Sequence, residues 1–161
     1  MEKSFSDSEI ERYIPNIITY PELEHVNPEK LLKHLPVAIL YMNAPNHGHW
    51  TLLHRTPEGI EFFDSYGFKP DTEMTSGLIG EEYKEPPYLA RLLYQLSGKY
   101  KINYSPYHFQ AMKQGVNTCG RWIILRNNYS KIGIDDFKAA VDRVSGDTGI
   151  SPDELVVKLT T

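Results

Sequence analysis

A predicted β-hairpin constrains the fold of this chain more than any other feature. Its two arms, 49–55 and 60–67, read HWTLLHR and IEFFDSYG and are rich in residues that favour strands. The TPEG between them supplies the proline and glycine that are typical of a turn. Because a hairpin sets the residues before and after its turn side by side, we expect His49 and Asp64 to face each other across neighbouring strands.

Helical and strand patterns surround this hairpin. Capping residues and apolar spacing predict helices at 6–14, 27–35, 87–98, 133–146 and 151–160. Apolar or alternating runs predict strands at 37–43 and 101–110. Residues 118–129 are ambiguous by periodicity, although the Thr118 hydroxyl could cap a helix that begins at Cys119. The order of elements predicts a single α+β domain, 1–161, with a mostly antiparallel central sheet flanked by helices.

Charge and cysteine content exclude several classes of protein. The net charge of −4 gives no indication of nucleic-acid binding, which needs clustered lysine and arginine. One cysteine permits no intrachain disulfide and is typical of a reducing compartment. No apolar run has the length of a membrane span, and the polar N-terminus is unlike a signal peptide. We therefore expect an intracellular monomer without a membrane partner.

Cys119 is a candidate nucleophile. At a helix N-terminus, backbone N–H groups and the helix dipole stabilise a thiolate, and Gly120 would let a substrate backbone approach closely. Such a thiol needs a base, here His49, and a carboxylate to orient that base, here Asp64. Each residue also has an ordinary interpretation, because a lone cysteine is commonly a small buried hydrophobe and an aspartate before SYG commonly caps a turn.

An oxyanion donor would complete such a site. A side-chain amide shortly before the nucleophile, together with the Cys119 backbone N–H, would suit this role. Both Gln110 and Gln114 precede Cys119 and qualify, and either could instead be a solvated loop residue.

The histidines of the first arm allow a different interpretation. His47 and His49 share one face of a strand and could contribute to a zinc site, with His54 as a further ligand. A metal-binding β-barrel motif would require a carboxylate where His54 stands. By strand alternation His54 faces away from His49.

Three motifs in order resemble a known superfamily of cysteine peptidases. His49-Trp50, FFDSYGF at 62–68 and NTCGRW at 117–122 are similar to the motifs of the adenovirus maturation protease and the SUMO-deconjugating proteases. The last motif looks most like its versions in the maturation proteases of virophages and large DNA viruses. The resemblance covers roughly residues 40–130.

This resemblance implies a papain-like core in the adenovirus protease arrangement and a cysteine endopeptidase. We expect no cofactor and no metal. It assigns His49, Asp64 and Cys119 as catalytic residues, with Trp50 and Gly120 adjacent to them. In the best-known members the oxyanion glutamine lies closer to the cysteine than Gln110 does and further away than Gln114. We favour Gln110 and leave Gln114 open.

The implied substrates are capsid, scaffold or other virion polypeptides, cleaved near glycine-containing sites. The expected location is the host cytoplasm or the viral factory, or the virion itself. Three alternatives stay open on related scaffolds: a protease that removes SUMO or ubiquitin-like proteins, an acetyltransferase with a similar triad, and a catalytically silent binding module.

Overall fold

A computed structural model describes residues 7–44, 47–72, 84–111 and 118–161. Within these ranges the strands are β1 Asn16–Thr19, β2 Val37–Ala44, β3 His47–Thr56, β4 Gly59–Phe63 and β5 Ile102–Tyr104. The α-helices are α1 Asp7–Glu11, α2 Pro28–Lys33, α3 Tyr88–Leu96, α4 Cys119–Asn128, α5 Ile134–Thr148 and α6 Pro152–Leu159. A 3₁₀ helix at Tyr20–His25 follows β1.

The predicted hairpin forms from β3 and β4. Leu52 pairs with Phe63 and Thr56 with Gly59, and the turn falls at Pro57 and Glu58. On its other side β3 pairs antiparallel with β2, which is the predicted apolar run at 37–43. The three central strands are therefore antiparallel, and the turn chemistry predicts this for β3 and β4.

The prediction of a mostly antiparallel sheet is confirmed for the three central strands but not for the two outer ones. The spatial order is β1-β2-β3-β4-β5, and β1 and β5 each run parallel to their inner neighbour. Parallel neighbours require a crossover connection. The 3₁₀ helix and α2 lie on the connection between β1 and β2, and α3 lies on the connection between β4 and β5. The strand predicted at 101–110 is limited to β5, and proline follows soon after it at position 106.

Both faces of the sheet are covered by a hydrophobic cluster. Successive residues of β3 point to opposite sides and so contribute to different clusters. Trp50 and Leu52 belong to a core cluster shared with α4, α5 and α6. Leu53 belongs to a second cluster on the other face, where α3 contributes four buried leucines: Leu89, Leu92, Leu93 and Leu96. The sheet is thus flanked by helices, as predicted.

Helix α4 is buried around most of its circumference, which explains why periodicity did not classify residues 118–129. Seven of its ten residues are buried, namely all of 119–126 except Arg121. The helix packs against β3. A helix enclosed on all sides shows no polar stripe to mark its period. Among the described residues, no helix has the length and apolar character needed to cross a membrane.

Candidate active site

The candidate site lies where β3 extends beyond the end of β4. Pairing with β4 stops at Leu52 and Phe63, whereas pairing with β2 continues through His49 and Tyr41. The N-terminus of α4 meets this extension of β3: the backbone N–H of Trp50 donates to Sγ of Cys119 over 3.4 Å. Cys119 is the first residue of α4, and Gly120 is buried beside it.

His49 and Asp64 are in direct contact, as the hairpin predicts. Nε2 of His49 lies 2.9 Å from Oδ1 of Asp64, and both side chains are almost completely buried. The register explains the contact. Asp64 follows the last residue of β4 and lies on the same face of the sheet as Phe62. Phe62 pairs with Leu53, and His49 lies on the face of Leu53. His49 and Asp64 are therefore diagonal neighbours on one face of the sheet.

Asp64 also shapes the turn that follows it, as its ordinary interpretation predicts, in addition to contacting His49. Its Oδ1 accepts a hydrogen bond from the backbone N–H of Tyr66 at 2.8 Å, and its carbonyl accepts from Gly67 at 2.8 Å. Gly67 has φ of 81°, and a Cβ there would lie 2.8 Å from the carbonyl oxygen of Tyr107. The turn therefore fixes the carboxylate oxygen that faces His49.

His49 interacts with Cys119 as well as with Asp64. Burial by itself lowers the pKa of His49, but the charge and hydrogen bond of Asp64, together with hydrogen bonding to Cys119, raise that pKa well above its ordinary value. Because Nε2 faces Asp64, Nδ1 is the ring nitrogen left for the thiol. The imidazole thus lies between a thiol and a carboxylate.

The ring stacked on His49 is that of Tyr66. Their centroids lie 4.7 Å apart with an interplanar angle of 17°. Tyr66 in turn contacts Phe68 and His108, at centroid distances of 5.6 and 6.2 Å. The sequence motif indicated Trp50 for packing beside the histidine; the indole of Trp50 is buried in the core cluster shared with α4, and its backbone contacts the thiol.

Gln110 is buried and held by Ser65, the residue after Asp64. The Ser65 hydroxyl donates to Oε1 of Gln110 at 2.7 Å, and the Ser65 carbonyl accepts from the backbone N–H of Gln110 at 3.0 Å. Fixing Oε1 in this way defines the direction of the amide NH₂ group. Gln114, the alternative oxyanion candidate, lies outside the described residues.

Asp153 links the segments that carry Gln110 and Cys119, and sequence reasoning missed it. Its Oδ2 accepts from the backbone N–H of Ala111 at 2.9 Å, and its Oδ1 accepts from the hydroxyl of Thr118 at 2.6 Å. Thr118 was predicted to cap α4 through this hydroxyl, but it makes no side-chain cap and donates to Asp153 instead. An acidic residue at the start of a helix is so common that nothing local distinguished Asp153.

His54 lies on the opposite face of β3, as strand alternation predicts. Its Nε2 lies 2.6 Å from Oε2 of Glu61, and Arg126 donates to both oxygens of the same carboxylate at 2.9 and 3.1 Å. All three side chains are buried. This buried ion network joins α4 to the hairpin and is separate from the candidate site.

A relative of this chain is known from a virophage. No protein-family model matches the sequence, and no solved structure matches it. "Uncharacterized protein V9" of Sputnik virophage is 35% identical over 152 residues, which cover 91% of this chain and 82% of the relative. The chain belongs to the family of this virophage protein.

In this virophage-related chain, the histidines that suggested a metal site have other contacts. His49 faces Asp64, and His54 faces Glu61. His47 begins β3, but its side chain lies outside the described part of the structure. Within the described ranges, no group of three or more His, Cys, Asp and Glu side chains is placed to hold a metal ion. The contacts of His49 instead suit the transfer of a thiol proton to an imidazole.

Proposed function

We propose that this protein is a cysteine endopeptidase that cleaves virion polypeptides, with Cys119 as nucleophile, His49 as general acid and base, and Asp64 as the orienting carboxylate. The observation that carries the proposal is the position of the His49 imidazole, which is buried between Asp64 and Cys119. A structural histidine needs one hydrogen-bond partner; an imidazole held by a carboxylate and a thiol has the contacts that thiol activation requires.

The reaction begins with proton transfer from the thiol of Cys119 to Nδ1 of His49. The carboxylate of Asp64 stabilises the resulting imidazolium, and the N-terminus of α4 and the N–H of Trp50 stabilise the thiolate. The thiolate sulfur then attacks the carbonyl carbon of the scissile peptide, and the π electrons of the C=O bond move to its oxygen.

The oxyanion that forms receives hydrogen bonds from the backbone N–H of Cys119 and from the amide NH₂ of Gln110. Ser65 supports this role because it occupies Oε1 of Gln110 and so turns the donor side of the amide away from itself. One such donor contributes about 10²- to 10³-fold to the rate of acyl transfer in enzymes that use this device.

Collapse of the tetrahedral intermediate breaks the C–N bond, and the amine leaves with the proton from His49. Cys119 remains as a thioester. His49, now neutral, accepts a proton from water, whose oxygen attacks the thioester carbon. The second collapse releases the carboxylic acid product and restores the Cys119–His49 pair.

Virion proteins are the proposed substrates for two reasons. The chain belongs to a virophage protein family. The motifs around His49, Asp64 and Cys119 also resemble those of proteases that mature virus particles, which cleave near glycine.

Cleavage of the particle's own structural proteins by purified enzyme tests this function. We expect wild-type protein to cut at least one of them, and Cys119→Ala and His49→Gln to cut none. Because the chain contains one cysteine, iodoacetamide reports on Cys119 alone, and its alkylation should slow in His49→Gln. Wild-type protein that cuts no virion protein but processes a ubiquitin-like precursor would contradict the substrate assignment. Alkylation that is insensitive to His49 would contradict the catalytic one.

A further inference from the structure

We propose that Asp153 is a positioning residue that sets the distance between the two donors of the oxyanion hole. The inference rests on the proposed peptidase function and extends it to a residue on α6, 34 positions after Cys119 in the sequence. Asp153 is assigned no contact with substrate; it acts through the residues that neighbour Gln110 and Cys119.

The carboxylate of Asp153 joins two separate pieces of chain. Ala111, directly after Gln110, donates its backbone N–H to Oδ2, and Thr118, directly before Cys119, donates its hydroxyl to Oδ1. The two oxygens of one rigid, planar group therefore fix the separation of the residues that flank positions 112–117. A third donor, Nε1 of Trp122 at 3.2 Å, ties the same Oδ1 to the body of α4.

Asp153 completes a closed circuit of hydrogen bonds around the site. Ser65, next to Asp64, holds Gln110 from one side, and Asp153 holds Ala111 from the other. The remaining links are the contact of His49 with Asp64 and that of Trp50 with Cys119. Each catalytic candidate is thus fixed through itself or through its neighbour in sequence.

The chemistry of this bridge favours a carboxylate over any other side chain. Asp153 is 6% exposed, and two of its three donors, the Thr118 hydroxyl and the Trp122 indole, are buried, so each would be costly to leave without an acceptor. A carboxylate is an acceptor on both oxygens, whereas an amide of the same shape places a donor at one of them. Asp153 also lies in the first turn of α6, where the helix dipole favours negative charge.

Positioning matters for acylation and not for simple alkylation. The tetrahedral oxyanion needs the Gln110 amide and the Cys119 N–H at a fixed separation, and a misplacement of about 1 Å can cost about 10²-fold in rate. Iodoacetamide reacts at the sulfur by displacement of iodide and forms no oxyanion. Alkylation therefore depends on Cys119 and His49 but not on the oxyanion hole.

The test compares these two reactions in Asp153→Asn, Thr118→Val and a control, Trp122→Phe. Asp153→Asn replaces an acceptor oxygen of the bridge with an NH₂ donor. Thr118→Val removes the hydroxyl that donates to Asp153, with little change of side-chain volume. Trp122→Phe removes the hydrogen bond from the indole to Asp153 but leaves those from Ala111 and Thr118. For a virion protein or a fluorogenic Gly-Gly peptide amide, we expect kcat to fall by up to about 10²-fold in the first two variants, with KM nearly unchanged.

Alkylation of Cys119 should proceed at the wild-type rate in all three variants, and Trp122→Phe should keep its kcat even if it melts at a lower temperature. The proposal is overturned if Asp153→Asn and Thr118→Val both keep the wild-type kcat. It is also overturned if they lose alkylation and hydrolysis in parallel, as a general loss of structure would cause. Thr118→Val carries the test if Asp153→Asn does not fold. Failure of the peptidase proposal itself is distinguishable, because wild-type protein would then hydrolyse nothing.

Discussion

His49 and His54 lie on opposite faces of the same strand, and their pKa values shift in opposite directions although each Nε2 faces a carboxylate. For His54, burial lowers the pKa, and the nearby Arg126 adds to that effect against the attraction of Glu61. For His49 the charge and hydrogen bond of Asp64, together with the interaction with Cys119, outweigh the effect of burial, and the pKa rises. We expect NMR titration to find the pKa of His49 above, and the pKa of His54 below, the ordinary histidine value of about 6.5. A lowered pKa for His49 or a raised pKa for His54 would contradict this prediction.

The same shift of His54 predicts how stability depends on pH. Because the folded-state pKa is lowered, the unfolded chain binds a proton that the folded chain does not as the pH falls below about 6.5. The contribution of His54 to stability is therefore complete above that pH and declines below it. His49 has the opposite sign: its contribution is complete below about pH 6.5 and is lost as the pH rises through its raised pKa.

Urea unfolding of wild type and His54→Gln at pH 7 and at pH 5.5 separates these contributions. The loss of free energy of unfolding on acidification should be smaller in the variant, since His54 no longer contributes to it. An equal loss in both proteins would show that His54 titrates normally in the folded state.

Replacement of the orienting carboxylate by an amide is the sharpest test of the triad. Asp64→Asn keeps the shape and the turn but removes the charge that raises the pKa of His49. We expect kcat/KM to fall by about 10²-fold or more, and the alkaline limb of the pH–rate profile, which follows loss of the imidazolium proton, to move to lower pH. Asp147→Asn, at an exposed position on α5, is the control and should leave the profile unchanged.

Ser65 and Ser105 form a matched pair of buried serines for testing the oxyanion hole. The hydroxyl of Ser65 holds Oε1 of Gln110, whereas that of Ser105 has no hydrogen-bond partner among the described residues. Ser65→Ala should lower kcat by up to about 10²-fold without slowing alkylation of Cys119. Ser105→Ala should leave both rates at the wild-type level. Equal kinetics in the two variants would remove the support for Gln110.

Sequence reasoning succeeded where the determining interactions are local. The TPEG turn and the pattern of its flanking segments define the hairpin, and the hairpin alone brings His49 to Asp64. Strand β1 and the parallel pairing of both outer strands were not predicted, because β1 has four residues, β5 has three, and each pairs through a crossover. Asp153 and Arg126 were not predicted either, since their partners are distant in sequence and an isolated charged residue is usually a surface residue.

The buried ion network of Glu61 and Arg126 should be costly to break from one side. Arg126 is fully buried and also donates to the carbonyl oxygens of Tyr129 and Ile132. Arg126→Met leaves the Glu61 charge uncompensated, and we expect a loss of about 3–5 kcal/mol in the free energy of unfolding. Lys99→Met, at an exposed pair with Glu29, should cost no more than about 1 kcal/mol. The double variant Glu61→Gln/Arg126→Met should recover part of the loss, and a loss that is additive would contradict the network.

Gly67 and Gly146 should respond to the same substitution with opposite signs. Gly67 has a left-handed backbone, and a Cβ there would meet the carbonyl oxygen of Tyr107, so Gly67→Ala should destabilise the protein by at least about 1 kcal/mol. Gly146 lies on the exposed side of α5 with no atom within 4 Å of an added Cβ, and Gly146→Ala should stabilise it by about 0.5–1 kcal/mol. Because the Gly67 turn also fixes Asp64, Gly67→Ala should lower kcat as well, whereas Gly146→Ala should not. Thermal melts and kinetics on the two variants check this, and a Gly67→Ala protein with wild-type stability would refute the role of the turn.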